Sequence, residues 1–127
     1  MQKIILLVDD TAMIHRVVGR ILRNFNYKML TAENGQRGCQ MAKTWKPDLI
    51  IMDVEMPVMN GYEATRLIKS DPVMARIPLI ILTPLGSEED MRKAKEAGAD
   101  AFLNKPISGE DLIATINGFL NATAKGV

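Results

Sequence analysis

Five stretches typical of β-strands recur along the chain, and the segments between them carry apolar residues at helical spacing. The stretches cover residues 4–8, 27–32, 49–52, 79–82 and 101–104. The first, third and fourth are continuously apolar, which is typical of strands covered on both faces of a sheet. Strands that alternate with helices in this way predict an α/β fold, with a five-stranded parallel sheet between two helix layers.

The predicted helices are amphipathic, so the pattern also indicates which side chains face the core. We expect the inward-facing residues to be Ile14, Val18, Ile21, Leu22 and Phe25 in the first helix, Gly38, Met41, Ala42 and Trp45 in the second, Ala64, Leu67 and Ile68 in the third, and Leu112, Ile116, Phe119 and Leu120 in the last. Asn34 and Ser87 are predicted to cap helices and Ser108 to open the last one. Gly98 is predicted to end the fourth helix.

Composition indicates an ordinary globular domain. The chain has 127 residues, of which 47% are hydrophobic and 24% charged, so we expect one domain across residues 1–127 with a real core. Its formal net charge of +1 excludes a function based on strong electrostatic attraction to nucleic acid. The lone Cys39 excludes an internal disulfide, and no apolar stretch approaches the roughly 18 residues of a membrane span. With no secretory leader at its start, we expect a cytoplasmic protein that binds neither nucleic acid directly nor a membrane.

Polar residues stand at the carboxyl ends of four of the five predicted strands. Asp9 and Asp10 follow the first strand, Asp53 the third, Thr83 the fourth and Lys105 the fifth. In a parallel α/β sheet these ends meet at one edge, where such folds bind their ligands. Carboxylates that lie close together repel and need a cation, and an all-oxygen ligand set suits Mg²⁺. With a lysine and a hydroxyl beside them, they form the constellation that phosphoryl transfer requires.

Each of these residues also has a purely structural interpretation when it is taken alone. Asp9 and Asp10 could end a strand and cap the helix that begins near Thr11, and a threonine or lysine at a strand end is commonly a turn or solvated residue. Asp53 is harder to explain in this way, because a carboxylate that follows four apolar residues is costly to bury without a partner. It is the joint placement at four strand ends that predicts a functional site.

Four segments carry motifs of a known family, in its usual order and spacing. They are residues 5–10 (ILLVDD), 47–61 (PDLIIMDVEMPVMNG), 80–83 (IILT) and 98–106 (GADAFLNKP). On these motifs the chain resembles a response regulator receiver domain over nearly its whole length. The resemblance implies a flavodoxin-like, doubly wound (βα)5 fold with strand order 2-1-3-4-5, here as a stand-alone domain with no output domain.

The resemblance implies that Asp53 is the acceptor of a phosphoryl group. The donor would be a phosphohistidine on a histidine kinase or a histidine phosphotransfer protein. Mg²⁺ would be held by the side chains of Asp10 and Asp53 and by the backbone carbonyl of Glu55, with Asp9 acting through a water molecule.

The same resemblance implies a conformational switch beside the acceptor. Lys105 would pair with the phosphoryl group, Thr83 would turn to donate a hydrogen bond to it, and Phe102 would follow Thr83 inward. The Lys105–Pro106 peptide bond is expected to be cis. The fourth helix, fifth strand and fifth helix would then present a face to a downstream output protein or to a second copy. We therefore expect a monomer, with dimerisation of the phosphorylated form left open.

A few positions depart from the usual pattern of that family or leave their interpretation open. Pro84 follows the switch threonine, where the family uses a backbone N–H to bind the phosphoryl group, and proline has none. Glu55 lies two residues past the acceptor, where its carboxylate could order an attacking water, repel it, or be a plain solvated acid. Phe102 replaces a common tyrosine and could be a switch residue or a core aromatic. His15, which lies off the apolar stripe of the first helix, is predicted to be a surface residue.

Three other functional classes compete with this interpretation. Pro84 gives some support to a receiver-fold binding module that works without phosphorylation, whereas the intact acidic cluster argues against it. A haloacid-dehalogenase-like hydrolase would use Asp53 with Glu55 as general acid, but that family has a second aspartate at the position of Glu55 and a threonine or valine at that of Pro57. A flavin site is disfavoured, because the two acids after the first strand would repel a phosphate in that loop.

Overall fold

Five strands and five helices alternate along the part of the chain that the structure describes. The structure is a computed structural model, and it describes residues 2–56, 58–84 and 87–125. The strands are β1 (Lys3–Val8), β2 (Tyr27–Ala32), β3 (Leu49–Asp53), β4 (Leu79–Thr83) and β5 (Ala101–Asn104). The helices are α1 (Ala12–Leu22), α2 (Gly35–Trp45), α3 (Gly61–Ser70), α4 (Glu88–Ala97) and α5 (Gly109–Lys125). No helix within these ranges is long and apolar enough to cross a lipid bilayer.

The strands form one parallel sheet in the order β2-β1-β3-β4-β5. This order confirms the flavodoxin-like fold that was expected. The register pairs Val8 with Met52 and Asp53 with Leu82, and β4 and β5 end level with each other. The carboxyl ends of β1, β3, β4 and β5 therefore meet at one edge of the sheet, which we call the carboxyl edge.

Both faces of the sheet are buried, which explains the continuous apolar runs. Alternate residues of each strand enter two separate cores. One core lies under α2, α3 and α4 and includes Leu6 and Ile50, and the other lies under α1 and α5 and includes Leu7 and Ile51. All four side chains are fully buried, and each such side chain contributes roughly 1.5–3 kcal/mol through its removal from water.

In the described ranges, side-chain caps stand at the start of four helices. Asn34, Asn60, Ser87 and Ser108 each accept a hydrogen bond from the backbone N–H three residues further on, at 2.8, 3.0, 3.1 and 3.2 Å. Gly98 ends α4 with a φ of 100°, a conformation that glycine adopts without the steric cost of a Cβ. The predicted roles of Asn34, Ser87, Ser108 and Gly98 are confirmed.

Three predicted core residues are exposed instead: Phe25 by 40%, Trp45 by 55% and Leu67 by 52%. α1 ends three residues before Phe25, which lies in the following turn and stacks on Tyr27 with the ring centroids 6.5 Å apart. Trp45 is the last residue of α2, beyond the turn that packs on the sheet. α3 buries a stripe too narrow to include Leu67. Helical spacing alone gave neither the end of α1 nor the width of the buried stripe of α3.

A lysine joins three chain segments at the opposite, amino-terminal edge of the sheet. Lys69 Nζ donates to the backbone carbonyls of Ala75 and Ile77, at 3.1 and 2.7 Å, and to Asp100 Oδ2, at 2.7 Å. The same Asp100 oxygen accepts a hydrogen bond from the backbone N–H of Leu79, the first residue of β4, at 2.8 Å. These contacts tie the end of α3 to the turn before β4 and to the junction between α4 and β5.

Candidate functional site

The polar residues predicted at the strand ends all lie at the carboxyl edge. Asp53 is the last residue of β3, and Thr83 is the last residue of β4. Asp9 and Asp10 directly follow β1, and Lys105 directly follows β5. The buried strands thus place five polar residues in neighbouring positions, at the point where the strand order reverses and such folds bind ligands.

Three carboxylates form the centre of this group. One carboxylate oxygen from each of Asp9, Asp10 and Asp53 lies within 4.8 Å of the other two. Asp9 is fully buried and Asp53 is 2% exposed, whereas Asp10 is exposed to solvent. Like charges this close together are unfavourable where water is largely excluded. This acid cluster (Asp9, Asp10 and Asp53) therefore needs positive charge nearby.

Lys105 supplies one positive charge from the loop after β5. Its Nζ donates to Asp53 Oδ1 at 2.7 Å and to Asp9 Oδ2 at 3.4 Å, and its peptide bond to Pro106 is cis, as expected. Burial raises the pKa of Asp53, the hydrogen bond from Lys105 opposes this, and the charge of Asp9 raises it further, so that the pKa lies above its usual value. Burial lowers the pKa of Lys105, but the hydrogen bonds and charges of Asp53 and Asp9 outweigh it and raise that pKa. The lysine thus only partly offsets the cost of burying the Asp53 carboxylate.

Hydrogen bonds hold Asp9 at its main chain and at both carboxylate oxygens. Its N–H donates to the carbonyl of Ala32 at 3.0 Å. Its Oδ1 accepts from the N–H and the hydroxyl of Thr11, at 2.8 and 2.7 Å, and its carbonyl accepts from His15 Nε2 at 2.7 Å. With Lys105 on Oδ2, Asp9 is oriented by the protein itself. Asp9 therefore belongs to the acid cluster and also stabilises the turn into α1.

Two glycines allow close packing around the loop that follows Asp53. A Cβ at Gly61 would lie 2.0 Å from the carbonyl oxygen of Asp53, and the Gly61 N–H donates to the carbonyl of Val54 at 2.9 Å. A Cβ at Gly35 would lie 2.6 Å from the carbonyl oxygen of Met59. A larger residue at either position would displace the loop or a helix, so the starts of α2 and α3 help to set the position of Asp53.

The predicted switch residues lie on β4 and β5, beside the acid cluster. Thr83 is 3% exposed, and its carbonyl accepts a hydrogen bond from the backbone N–H of Lys105 at 2.8 Å. Phe102 is half-buried and packs against the core under α2, α3 and α4. Pro84 and Glu55 are both exposed. Thr83 thus ends β4 at the carboxyl edge and Phe102 lies on the neighbouring β5, and the role of both as switch residues stays a prediction.

The acid cluster has the charge and the donor atoms that suit a divalent cation. Within the described part of the chain, three carboxylates face the one ammonium of Lys105, which leaves two excess negative charges, and all the donor atoms of the cluster are oxygens. Mg²⁺ prefers oxygen ligands and is commonly held by one or two carboxylates with water completing its shell. The residues present therefore fit Mg²⁺. The Glu55 carbonyl, which was predicted as a further ligand, belongs to the loop directly after Asp53, and its role stays a prediction.

Sequence reasoning missed two residues beside this site. His15 is half-buried rather than on the surface, because its side chain reaches back to the carbonyl of Asp9. Its place one turn into the helix that follows Asp9 is the signal that could have identified it. Gly61 carries no such signal, since an Asn–Gly pair indicates a turn in the sequence but gives no distance to Asp53.

Several known proteins are similar to this chain over most of its length. The profile of the response regulator receiver domain matches residues 5–117. Protein PilH of Pseudomonas aeruginosa is 39% identical over 116 residues, which cover 91% of this chain and 96% of PilH. The chemotaxis protein CheY of Halobacterium salinarum is 38% identical over 122 residues, which cover 96% of this chain and 100% of that protein.

A solved structure adds information on the metal. The receiver domain of the sensor histidine kinase PA1611 from Pseudomonas aeruginosa PAO1 superposes with a TM-score of 0.88 at 29% identity, covering 95% of this chain and 99% of that one. It is described with a magnesium ion coordinated in its active site cleft. Matches of this extent show that the protein is a signalling domain of the kind found in two-component systems. The chain belongs to the response regulator receiver domain family, as its motifs predicted.

Proposed function

We propose that this chain accepts a phosphoryl group on the carboxylate of Asp53 and signals through the conformational change that follows. The supporting observation is the contact between Lys105 Nζ and Asp53 Oδ1, 2.7 Å long, within the acid cluster. A carboxylate at the end of a buried strand is held in place by the sheet, and the lysine beside it carries the charge that a phosphoryl group requires.

In the transfer step, one carboxylate oxygen of Asp53 is the nucleophile. It bonds to phosphorus while the phosphorus–nitrogen bond of a phosphohistidine breaks, and the imidazole nitrogen keeps the electron pair. Lys105 then moves its hydrogen bond from Asp53 to an oxygen of the transferred group, so that its charge stays paired. We propose a histidine kinase or a histidine phosphotransfer protein as the donor.

Mg²⁺ is the proposed cofactor of this step. The side chains of Asp10 and Asp53 and the backbone carbonyl of Glu55 would hold it, with Asp9 acting through water. When bound, the ion neutralises the negative charge that gathers on the acceptor and the phosphoryl oxygens. Asp9 is already fixed by Thr11 and Lys105, so this part of the site would be oriented before the ion arrives.

The signal would pass from Asp53 to the face formed by α4, β5 and α5. A phosphoryl group on Asp53 offers acceptor oxygens to the hydroxyl of Thr83, and Phe102 would move inward with it. Phe102 also lines a groove of about 320 Å³ between α4 and β5, together with the apolar Met91 and Ala94. We propose that a downstream output protein docks at this groove. We expect the chain to be a monomer before phosphorylation, and dimerisation of the phosphorylated form is left open. Residues 1–127 would act as one receiver domain, and a cytoplasmic location stays a prediction.

One feature favours a second candidate function. Pro84 has no backbone N–H, so the phosphoryl group would have one donor fewer than the family usually provides. The second candidate is a binding module with the receiver fold that works without phosphorylation.

Intact-mass spectrometry separates the two candidates. The protein is incubated with Mg²⁺ and acetyl phosphate, and in parallel with phosphorylated histidine kinases or phosphotransfer proteins. We expect the wild type to gain the mass of one phosphoryl group and Asp53→Asn to gain none. Asp111→Asn, which removes an exposed carboxylate on α5, is the matched control and should be modified like the wild type. Chelation of divalent cations should abolish the gain. If no donor modifies the wild type, the phosphoacceptor function is wrong and the binding module takes its place.

A further inference from the structure

His15 is the only histidine of the chain, and it contacts the main chain of the acid cluster. Its Nε2 lies 2.7 Å from the backbone carbonyl oxygen of Asp9, and the residue is half-buried. A carbonyl oxygen only accepts hydrogen bonds, so Nε2 carries the proton and donates it. The proposed transfer does not use this side chain, yet it is close to the site.

Among the described residues, His15 is the partner of the Asp9 carbonyl, the polar group of Asp9 that its other neighbours do not bind. Thr11 and Lys105 hold the two carboxylate oxygens, and Ala32 holds the N–H. The carbonyl of Asp9 begins the peptide that leads to Asp10, so its direction sets where the next residue emerges. The imidazole therefore restrains the backbone from which two of the three carboxylates project.

We propose that His15 is a positioning residue for the cation site, acting through the backbone carbonyl of Asp9. The proposal rests on the proposed function, because it assumes that the acid cluster binds Mg²⁺. Partners that orient the ligands of a metal from outside raise its affinity. Here the contact is to a neutral carbonyl, so a neutral amide placed at the same point should replace the imidazole.

Two amide variants give a matched pair. In His15→Gln the amide nitrogen is the same number of bonds from Cβ as Nε2 and can reach the carbonyl of Asp9. In His15→Asn the amide nitrogen corresponds to Nδ1 and falls short. Both variants remove the ring and leave an uncharged amide, so they differ mainly in whether the hydrogen bond to Asp9 is kept.

Magnesium chloride is titrated into each purified full chain by isothermal titration calorimetry, and the Mg²⁺ dependence of the thermal unfolding midpoint is measured alongside. We expect His15→Asn to raise the Kd for Mg²⁺ about fivefold, the value of one ordinary hydrogen bond, and His15→Gln to stay close to the wild type. With acetyl phosphate, the Mg²⁺ concentration for half-maximal phosphorylation should rise in His15→Asn, while the rate at saturating Mg²⁺ should be unchanged, because Asp53 and Lys105 are intact.

Urea unfolding of the metal-free variants reports separately on stability. If His15→Asn is less stable but binds Mg²⁺ as the wild type does, the role of His15 is only structural and the proposal is wrong. Equal weakening of Mg²⁺ binding in both variants would also overturn it, because the hydrogen bond would then not be the cause. If the wild type binds no Mg²⁺, the proposed function fails first, and the result is distinguishable from a failure of His15 alone.

Discussion

The start of α3 lies against the main chain of the acceptor residue, and Gly61→Ala tests the importance of that contact. A Cβ at Gly61 would lie 2.0 Å from the carbonyl oxygen of Asp53 and 3.0 Å from the Cα of Val54. The nearest obstacle is backbone, which does not rotate out of the way as a side chain would. Either α3 or the end of β3 must therefore move.

The required displacement is roughly 1 Å, since a Cβ is essentially never found within 3.0 Å of such an atom. Overpacking of this kind typically costs about 1–3 kcal/mol of stability. A reacting group that is displaced by about 1 Å loses up to roughly 100-fold in rate. We therefore expect Gly61→Ala to lower both the free energy of unfolding, by about 1–3 kcal/mol, and the rate of Asp53 phosphorylation, by roughly 10- to 100-fold.

Urea unfolding measures the first effect, and phosphorylation by acetyl phosphate at saturating Mg²⁺ measures the second. Gly118→Ala on α5 is the control, because no atom of the described residues outside the helix's own backbone and the two chain neighbours lies within 4 Å of a Cβ built there. It should stabilise the protein by about 0.5–1 kcal/mol through helix propensity and leave phosphorylation unchanged. If Gly61→Ala behaves like Gly118→Ala in both assays, α3 does not constrain Asp53 and the reasoning is refuted.

Three further substitutions test other features. Pro84→Ala restores a backbone N–H beside the phosphoryl position. The added charge-assisted hydrogen bond, about 1.5–3 kcal/mol, should tighten binding of the phosphoryl mimic beryllofluoride by roughly 10- to 100-fold. Identical titration curves for the wild type and the variant would contradict this. Val58 is 78% exposed and has a φ of 72°, a conformation that strains a side chain with a Cβ. Val58→Gly should relieve this strain at a smaller cost in chain entropy, so the free energy of unfolding in urea should rise by about 0.5–1 kcal/mol. A loss of stability would show that the strain is absent. Burial raises the pKa of Asp53, so ionised Asp53 destabilises the metal-free fold at neutral pH, and Asp53→Asn should be more stable there. This stability advantage of Asp53→Asn should shrink as the pH falls through the raised pKa, because the folded wild type takes up a proton before the unfolded chain does. If urea unfolding shows an advantage that does not change with pH, the ionisation of Asp53 is not its source.

Much of the fold and of the acid cluster could be predicted because both follow from short-range patterns. Strands buried on both faces are continuously apolar, and a parallel sheet brings their carboxyl ends to one edge. These two facts were enough to place Asp9, Asp53 and Lys105 together. The caps at Asn34 and Ser87 were predictable because capping depends only on residues three positions apart.

The remaining features depend on distances that no local pattern contains. Phe25 was placed in the core because its spacing continues that of α1, and the spacing does not show where the helix stops. The hydrogen bond of His15 depends on how the turn after β1 is folded, and the close approach of Gly61 depends on the path of the loop after β3. Both follow from the tertiary arrangement, so they became apparent only in the structure.

Lys69 and Lys105 stand at opposite edges of the sheet and differ in what surrounds them. Lys69 is bound by two carbonyls and a carboxylate, is 13% exposed and lies away from the acid cluster, so an anion at Asp53 does not compete for it. Among the described residues, the Lys105 ammonium is paired with the carboxylates of Asp9 and Asp53 alone, and an anion bound at Asp53 can compete for it. Of these two lysines, only Lys105 can exchange a carboxylate partner for an incoming anion. Occupation of the acceptor by an anion should therefore slow the labelling of Lys105 by an amine-reactive reagent and leave the labelling of Lys69 unchanged.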